Sequence, residues 1–386
     1  MRIKLFFLMT FVILYIPVMQ AEEDQGQESG KPLNVVLMIG DGMGISQLSV
    51  PYYYLDEEPV FSRFRHIGLV RTSSADAPVT QSPAAATAIS TGVKTYNMAV
   101  GVGIDSLPLR NIVEIVSERG YRTGVIATSS VTDATPAGFY AHVPDRYMQR
   151  EIARELALSE IDFFAGGGLK YFIDTTGVDI FAANNIQVNF SKLEKIEDPQ
   201  PGLRYGFILG MDRMPAILEE RGDFLSEAST IAIDFLSSAG KGYFLMVEGS
   251  QIDWAGHGNN VEYMITEMND FNRAVKAVLA KAEEDGNTLV IVTADHETGG
   301  FTLGAAGTNG VDADYSILSP TFATTNHSAA LVPLFAYGPG AERFTGVYEN
   351  TEIFHRLVSL VTGGRAVEGS VETAGGREDT AAALDK

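Results

Sequence analysis

The sequence predicts an α/β fold, a three-layer α/β/α sandwich with a mostly parallel central sheet and loop insertions. Three observations point there. Apolar runs of strand length at 35–39, 123–128, 243–247, 289–293 and 331–337 are interleaved with helically patterned stretches. The composition, 45% hydrophobic and 20% charged, is that of an ordinary globular protein with a sizeable core. Finally, three of the runs end in acids or histidines: 35–39 leads into Gly40-Asp41, 243–247 into E-G-S-Q-I-D-W-A-G-H (Glu248 to His257), and 289–293 into Ala294-Asp295-His296. Open α/β sheets place their chemistry just beyond the carboxyl ends of strands, so these three endings would meet at one edge of one sheet. Two carboxylates and an imidazole in one decapeptide outline a metal site, and the cluster implies polyvalent cations.

At 386 residues the chain could hold two domains, but one large domain with insertions, spanning 33–361, fits equally well and is the reading adopted. A formal charge of −21 argues against binding a nucleic-acid backbone, which needs basic surfaces. Cysteine is absent, which excludes disulfides, iron–sulfur clusters and thiol nucleophiles, so any metal must be held by oxygen and imidazole. Residues 1–21 pair a basic start with an apolar stretch, the pattern of an export signal, and that stretch is too short for a comfortable membrane span. An exported protein, periplasmic or extracellular, follows. Residues 22–32 read as a polar linker, and 362–386, rich in Gly, Ala, Glu and Thr, as a disordered tail.

In chain order, Asp41 opens D-G-M-G, where it is either a metal ligand or a helix cap. Ser82 precedes Pro83 and a run of alanines; because proline favours the first helical position, Ser82 is expected at the N-cap. It is then a plain cap, or a nucleophile at the positive end of a helix. Thr132-Asp133-Ala134-Thr135 offers hydroxyl and carboxylate oxygens suited to a hard cation such as Mg²⁺, although a turn explains them too. Arg146 begins a helical stretch to about 159. Residues 160–225 show little regular periodicity and read as an insertion forming a rim, without chemistry. Helices are expected at 110–120, 226–238 and 261–284. Of six histidines, His257, His296 and His327 lie in loops beside strand-like runs, where ligands belong. With Asp41, Glu248, Asp253 and Asp295 they suffice for two cations and a bridging carboxylate.

The series I-G-D-G-M-G, T-x-S-x-A-x-A-T-A, D-A-T-P-A, A-H-V-x-x-R, V-E-G-S-x-I-D and V-T-A-D-H-E-T-G-G, with the late His327, closely resembles the alkaline phosphatase family from about Asn34 to His355. The resemblance implies a homodimeric phosphate monoester hydrolase that uses two Zn²⁺ and one Mg²⁺. One Zn²⁺ would be held by Asp253, His257 and His327, the other by Asp41, Asp295 and His296. Asp41 would also touch the Mg²⁺ site, completed by Thr135 and Glu248. Ser82 falls on the phosphorylated nucleophile and Arg146 on the guanidinium that forks onto phosphate. Phosphodiesterases, sulfatases, phosphomutases and a dead phosphate binder are the competing readings; Glu248 with Thr135 favours the monoesterase, and intact Ser82 with all six zinc ligands argues against a dead binder.

Some positions depart from the family pattern. Gln81 stands where an Asp usually braces the arginine, Pro83 where Ala is usual. Asp133 and Trp254 combine two family variants: Asp133 would reach the third metal through water, and no cation at 254 bridges to phosphate. A neutral Gln81 is expected to hold Arg146 less firmly.

Overall fold

The apolar runs become the middle of a ten-stranded sheet in the computed structural model, which describes residues 32–173, 180–307 and 312–364. In chain order the strands are β1 (Asn34–Gly40), β2 (His66–Arg71), β3 (Arg122–Ser130), β4 (Phe163–Gly167), β5 (Ile186–Asn189), β6 (Arg204–Gly210) and β7 (Tyr243–Gly249). They continue as β8 (Thr288–Thr293), β9 (Glu297–Thr298), β10 (Thr302–Ala306), β11 (Asp314–Thr321), β12 (His327–Ser328), β13 (Val332–Tyr337) and β14 (Gly346–Glu349). The sheet order is β14-β2-β13-β8-β1-β7-β3-β4-β6-β5, and β13 alone among these runs antiparallel to its neighbours. β10 pairs with β11, and β9 with β12, as two small antiparallel ribbons.

β1, β7 and β8 are continuous apolar runs because a parallel strand with helices over both faces has no solvent side. Val35 to Ile39, Phe244 to Val247 and Leu289 to Val292 are all fully buried. Successive side chains alternate faces: Phe244 stacks on Phe139 on one side of the sheet, while Leu245 and Leu236 crowd the Gly124 position on the other. The second face is covered by the helices Phe224–Ser237 and Val261–Asp285, which pack on each other. Asn260 starts the longer of these by accepting from Tyr263 N at 3.1 Å, and Gly286 (φ 65°) ends it. Towards the first face lie Ser82–Thr91, Ile112–Ser117 and Thr351–Thr362. All ten residues of Ser82–Thr91 are buried, and a Cβ at Gly138 would come within 2.8 Å of Ala86 Cβ, so the alanine run there is a close-packing requirement.

Two expectations need correcting. Residues 160–225 are no mere rim, since they contribute β4, β5 and β6 to the main sheet. Ser82 is the first residue of its helix rather than the cap: Gln81, extended at φ −110° and ψ 161°, caps it, its carbonyl accepting from Ala85 N, and Pro83 follows one place later in the first turn. Proline is tolerated there because that N–H has no helical partner to lose. The helix expected from Arg146 begins at Gln149, leaving Arg146 in the loop before it. The export signal at 1–21, almost all of the linker at 22–32 and the tail beyond 364 lie outside the described residues.

Candidate metal centre and active site

Register does most of the assembly. Ile39 of β1 pairs with Glu248 of β7 on one side and Thr293 of β8 on the other, so Asp41, Glu248 and Asp295 emerge at one level of the same edge. Just beyond β7 the helix Gln251–His257 carries Asp253 and His257 four residues apart, hence on one face. β12 pairs His327 with Thr298, which brings a residue distant in sequence within reach of His296. The turn after β1 uses Gly42 at φ 74°, where a Cβ would meet Asp253 Cα at 2.8 Å. Asp41 therefore opens the turn after the strand, and the helix that follows is capped by Gly44 instead.

The ligand atoms converge in two overlapping groups, Asp41, Asp295 and His296, and Asp253, His296 and His327. His296 Nε2 lies 3.5 Å from Asp41 Oδ1 and 3.2 Å from Asp295 Oδ2. His257 Nε2 lies 3.1 Å from His327 Nε2 and 3.4 Å from Asp253 Oδ2, and His327 Nε2 is 3.6 Å from Asp253 Oδ1. Metal–ligand bonds of about 2.0–2.2 Å in a tetrahedron put ligand atoms roughly 3.3–3.6 Å apart. The separations here, 3.1–3.6 Å, are close to those edges, so the two groups could each hold an ion. Each imidazole is aimed by its other nitrogen: His257 Nδ1 meets Thr325 O at 2.6 Å, His327 Nδ1 meets Thr80 O at 2.8 Å, and His296 Nδ1 faces Thr298 Oγ1 at 3.2 Å. The Thr298 hydroxyl also donates to Asp253 Oδ1 at 2.5 Å, tying the two groups together.

Burial makes this cluster costly without cations. Asp41 Oδ1, Asp295 Oδ2 and Thr135 Oγ1 are buried without an ordinary hydrogen-bond partner. Burial, reinforced by Asp295 and Asp253, holds the Asp41 carboxyl well above its usual range. Burial likewise raises Asp295, and it pushes Glu248 up to about 8 although Ser250 donates to it at 2.6 Å. His296, buried beside His327, is driven well below the ordinary histidine value. Buried acids that resist ionising and an imidazole that resists protonation are the donor set a metal ion satisfies. Thr135 sits beside Glu248, as a third, oxygen-rich site requires.

Ser82 Oγ, 3% of whose residue is exposed, lies 3.2 Å from His296 Nε2 at the start of its ten-residue helix. Arg146 Nη2 donates to Asp133 Oδ1 at 2.8 Å. Burial pulls the guanidinium down, but the Asp133 carboxylate outweighs it and leaves Arg146 above its usual value. The arginine is therefore held by Asp133 and not from position 81. Gln81 spends its backbone N–H on Asn97 and makes no described side-chain bond to Arg146, whereas Asp133, already fixed by Ala134 N at 2.7 Å, supplies the brace. Trp254 packs under Arg213 rather than into the cluster, with the guanidinium 5.4 Å from its ring centre.

The alkaline phosphatase family model matches residues 33–179 and 178–318. The chain belongs to the alkaline phosphatase family. The alkaline phosphatase of the Antarctic bacterium TAB5 is 48% identical, with a TM-score of 0.83 over 86% of this chain and 98% of that one. Alkaline phosphatase 3 of Bacillus subtilis (strain 168) is 31% identical over 88% of this chain and 91% of its own length. A mutant of the TAB5 enzyme with a histidine replaced by aspartate, equally similar in identity, coverage and TM-score, is described with Mg bound in its M3 site. As an alkaline phosphatase the chain is a hydrolase of phosphate monoesters that works with metal ions. Among the described residues no helix is long and apolar enough to cross a membrane. Sequence reasoning missed Thr298, Ser129 and Ser250, which bond to the candidate ligands Asp253 and Glu248; Thr298 and Ser250 lie inside the matched motifs, whereas Ser129 lies outside them.

Proposed function

We propose that the chain hydrolyses phosphate monoesters through a phosphoserine intermediate on Ser82, at a centre of two Zn²⁺ and one Mg²⁺, releasing inorganic phosphate at alkaline pH. The observation that carries this reading is the Ser82 hydroxyl, 3.2 Å from His296 Nε2 within a set of converging imidazoles and carboxylates spaced like coordination edges. Asp253, His257 and His327 would hold one zinc and Asp41, Asp295 and His296 the other; Asp41, Thr135 and Glu248 would hold Mg²⁺, with Asp133 reaching it through water. When bound, the ions supply Lewis-acid stabilisation of the attacking and leaving oxygens and lower the pKa of hydroxyl and water. The M3 site of the TAB5 mutant, with an introduced carboxylate and Mg, supports the third position.

The chain's own residues do the rest. Ser82 Oγ attacks phosphorus, the ester P–O bond breaks and the alcohol leaves; water then cleaves the phosphoserine, returning the serine hydroxyl and free phosphate. The helix starting at Ser82 directs its N–H groups and dipole at the anion. Arg146 grips two nonbridging oxygens with a planar fork, a geometry lysine lacks. His257, with 41% of its side chain exposed, marks the open side through which ester and alcohol pass. We also place residues 33–361 as the catalytic domain, 1–21 as an export signal to the periplasm or exterior, and the active unit as a homodimer; the pattern at 1–21 and the family resemblance support these. An aryl phosphate, the matching diester and the matching sulfate, assayed with and without chelator, test the reaction, and acid trapping of labelled phosphate maps the intermediate. Chelator-sensitive monoester turnover with label on Ser82 is expected. Label elsewhere, with Ser82→Ala fully active, would sink the assignment.

A further inference from the structure

Beside the metal centre lies a cleft of about 420 Å³ with Asp133, Tyr171, Arg213 and Trp254 among its walls. It adjoins the phosphate position from two directions. Asp133 holds the arginine clamp, and Trp254 stands between the site residues Asp253 and His257 on one helix. The two acids lining the cleft are both ion-paired to residues outside it, Asp133 to Arg146 at 2.8 Å and Asp212 to Lys170. Arg213 lies over Trp254 and is ion-paired to Glu219, its Nη2 3.3 and 3.4 Å from the two carboxylate oxygens, with 39% of the side chain exposed. These contacts are longer than the Asp133–Arg146 bond.

The backbone beneath this exposed arginine is fixed by buried structure. A Cβ at Gly167 would come within 2.4 Å of Arg213 Cα, and one at Gly210 within 1.9 Å of its carbonyl oxygen, so both strand ends are restricted to glycine where Arg213 crosses them. Gln251, from the helix that bears Trp254, donates to Met214 O at 2.9 Å, and Arg221 donates to Pro215 O at 3.0 Å. Arg221 is itself enclosed between Glu267 and Asp270. A solvated surface cation needs no such anchoring.

We propose that this cleft is a leaving-group subsite in which Arg213, laid on Trp254, receives a second anionic group of the substrate. The preferred esters are those whose alcohol carries a carboxylate or a further phosphate. On a chain of net charge −21 a locally fixed cation offsets the repulsion such a substrate meets. The proposal rests on the reading of Ser82 and Arg146 as the phosphate end.

Phenyl phosphate, 4-carboxyphenyl phosphate and 4-carbamoylphenyl phosphate share the reacting group, and the last two have similar leaving-group electronics; 1,4-phenylene bisphosphate separates a second phosphate from a carboxylate. The carboxylate ester is expected to exceed the carboxamide in kcat/KM by about fivefold to tenfold, a ratio that shrinks with added salt. Arg213→Ala should bring the ratio near one, and Arg213→Glu should invert it. Equal losses for both esters in Arg213→Ala, or a wild-type ratio near one, would overturn the proposal and leave the arginine as packing on Trp254. The salt series uses the unaltered protein, so a misfolded variant does not spoil the test. An error in the phosphate-end reading shows separately, as phenyl phosphate turnover without label on Ser82.

Discussion

The Asp133–Arg146 pair offers a way to separate bracing from charge. Asp133→Asn keeps an acceptor for the guanidinium while deleting the negative charge, and Asp133→Ala deletes both. The bond is a single one of 2.8 Å between side chains 22% and 26% exposed. Fully exposed pairs contribute roughly 0.2–1 kcal/mol and bonds to charged groups about 1.5–3, so a partly buried one should be near 1–1.5 kcal/mol. The charge acts oppositely. A phosphate gripped on the far side of the guanidinium would stand about 6–7 Å from the carboxylate, where unit charges repel by roughly 2.5 kcal/mol at an effective dielectric near 20. Deleting the charge should therefore tighten phosphate binding, and comparison with wild type alone mixes the two effects. The Asn-to-Ala step isolates the brace: inorganic phosphate should inhibit the Ala variant about tenfold more weakly than the Asn variant, since 1.4 kcal/mol is a factor of ten. Competitive inhibition constants at saturating Mg²⁺ measure this, and Gln81→Asp in the Ala background should recover part of the loss. Inhibition constants within twofold of each other in the two variants would refute the bracing role.

His327→Ala should lower bound zinc by one equivalent and abolish most activity, because Asp253 and the half-exposed His257 remain as too small a ligand set; metal analysis beside the rate checks this. Glu248→Gln should leave a reduced rate that depends on added Mg²⁺. The chelated protein should lose thermal stability as pH rises from about 7 to 8.5. Glu248, raised to about 8, binds its proton more tightly when folded, so its contribution, complete below the ordinary carboxyl value, is lost through pH 8. His296, lowered in the fold, contributes fully above its ordinary 6.5 and adds no slope there. Melting temperatures of chelated wild type and Glu248→Gln should diverge across this window; a flat wild-type curve would contradict the assigned burial of Glu248.

The parts legible in the sequence share a cause. β1, β7 and β8 are buried on both faces and must be continuously apolar, and the site residues come at their ends, so strand and ligand announce each other. The missed strands obey a different constraint. β4 ends in Gly166-Gly167 because Val131 and the Arg213 backbone fill the space where side chains would stand, and in β6 the Phe164 ring fills the Gly206 position, 2.2 Å from where a Cβ would be. Phe163 to Ala165 and Phe207 to Ile208 are still buried, but the glycines cut each apolar run to two or three residues, too short to read as a strand. β2 and β14, at the far edge, are short and half-exposed, with Gly68 facing the Phe344 carbonyl. The brace on Arg146 was illegible for another reason: thirteen residues separate the partners, and only the turn after β3 aims the carboxylate.

That turn joins two functions. An Asp at position 81 would put the brace at the start of the Ser82–Thr91 helix, on a different element from Asp133. Here position 81 is Gln, and the bracing carboxylate is Asp133, whose backbone follows β3 while Thr135 and Glu248 stand close by. Under the proposed assignment Oδ1 holds the phosphate clamp and Oδ2 faces the Mg²⁺ site, so one side chain couples them. A cation held there would compete with Arg146 for Asp133, so the bond to the guanidinium would be longer with the site filled and shorter with it empty. The occupancy of the third site would then tune the grip on product phosphate, a link that disappears in Asp133→Ala and that a carboxylate restored at position 81 cannot re-create.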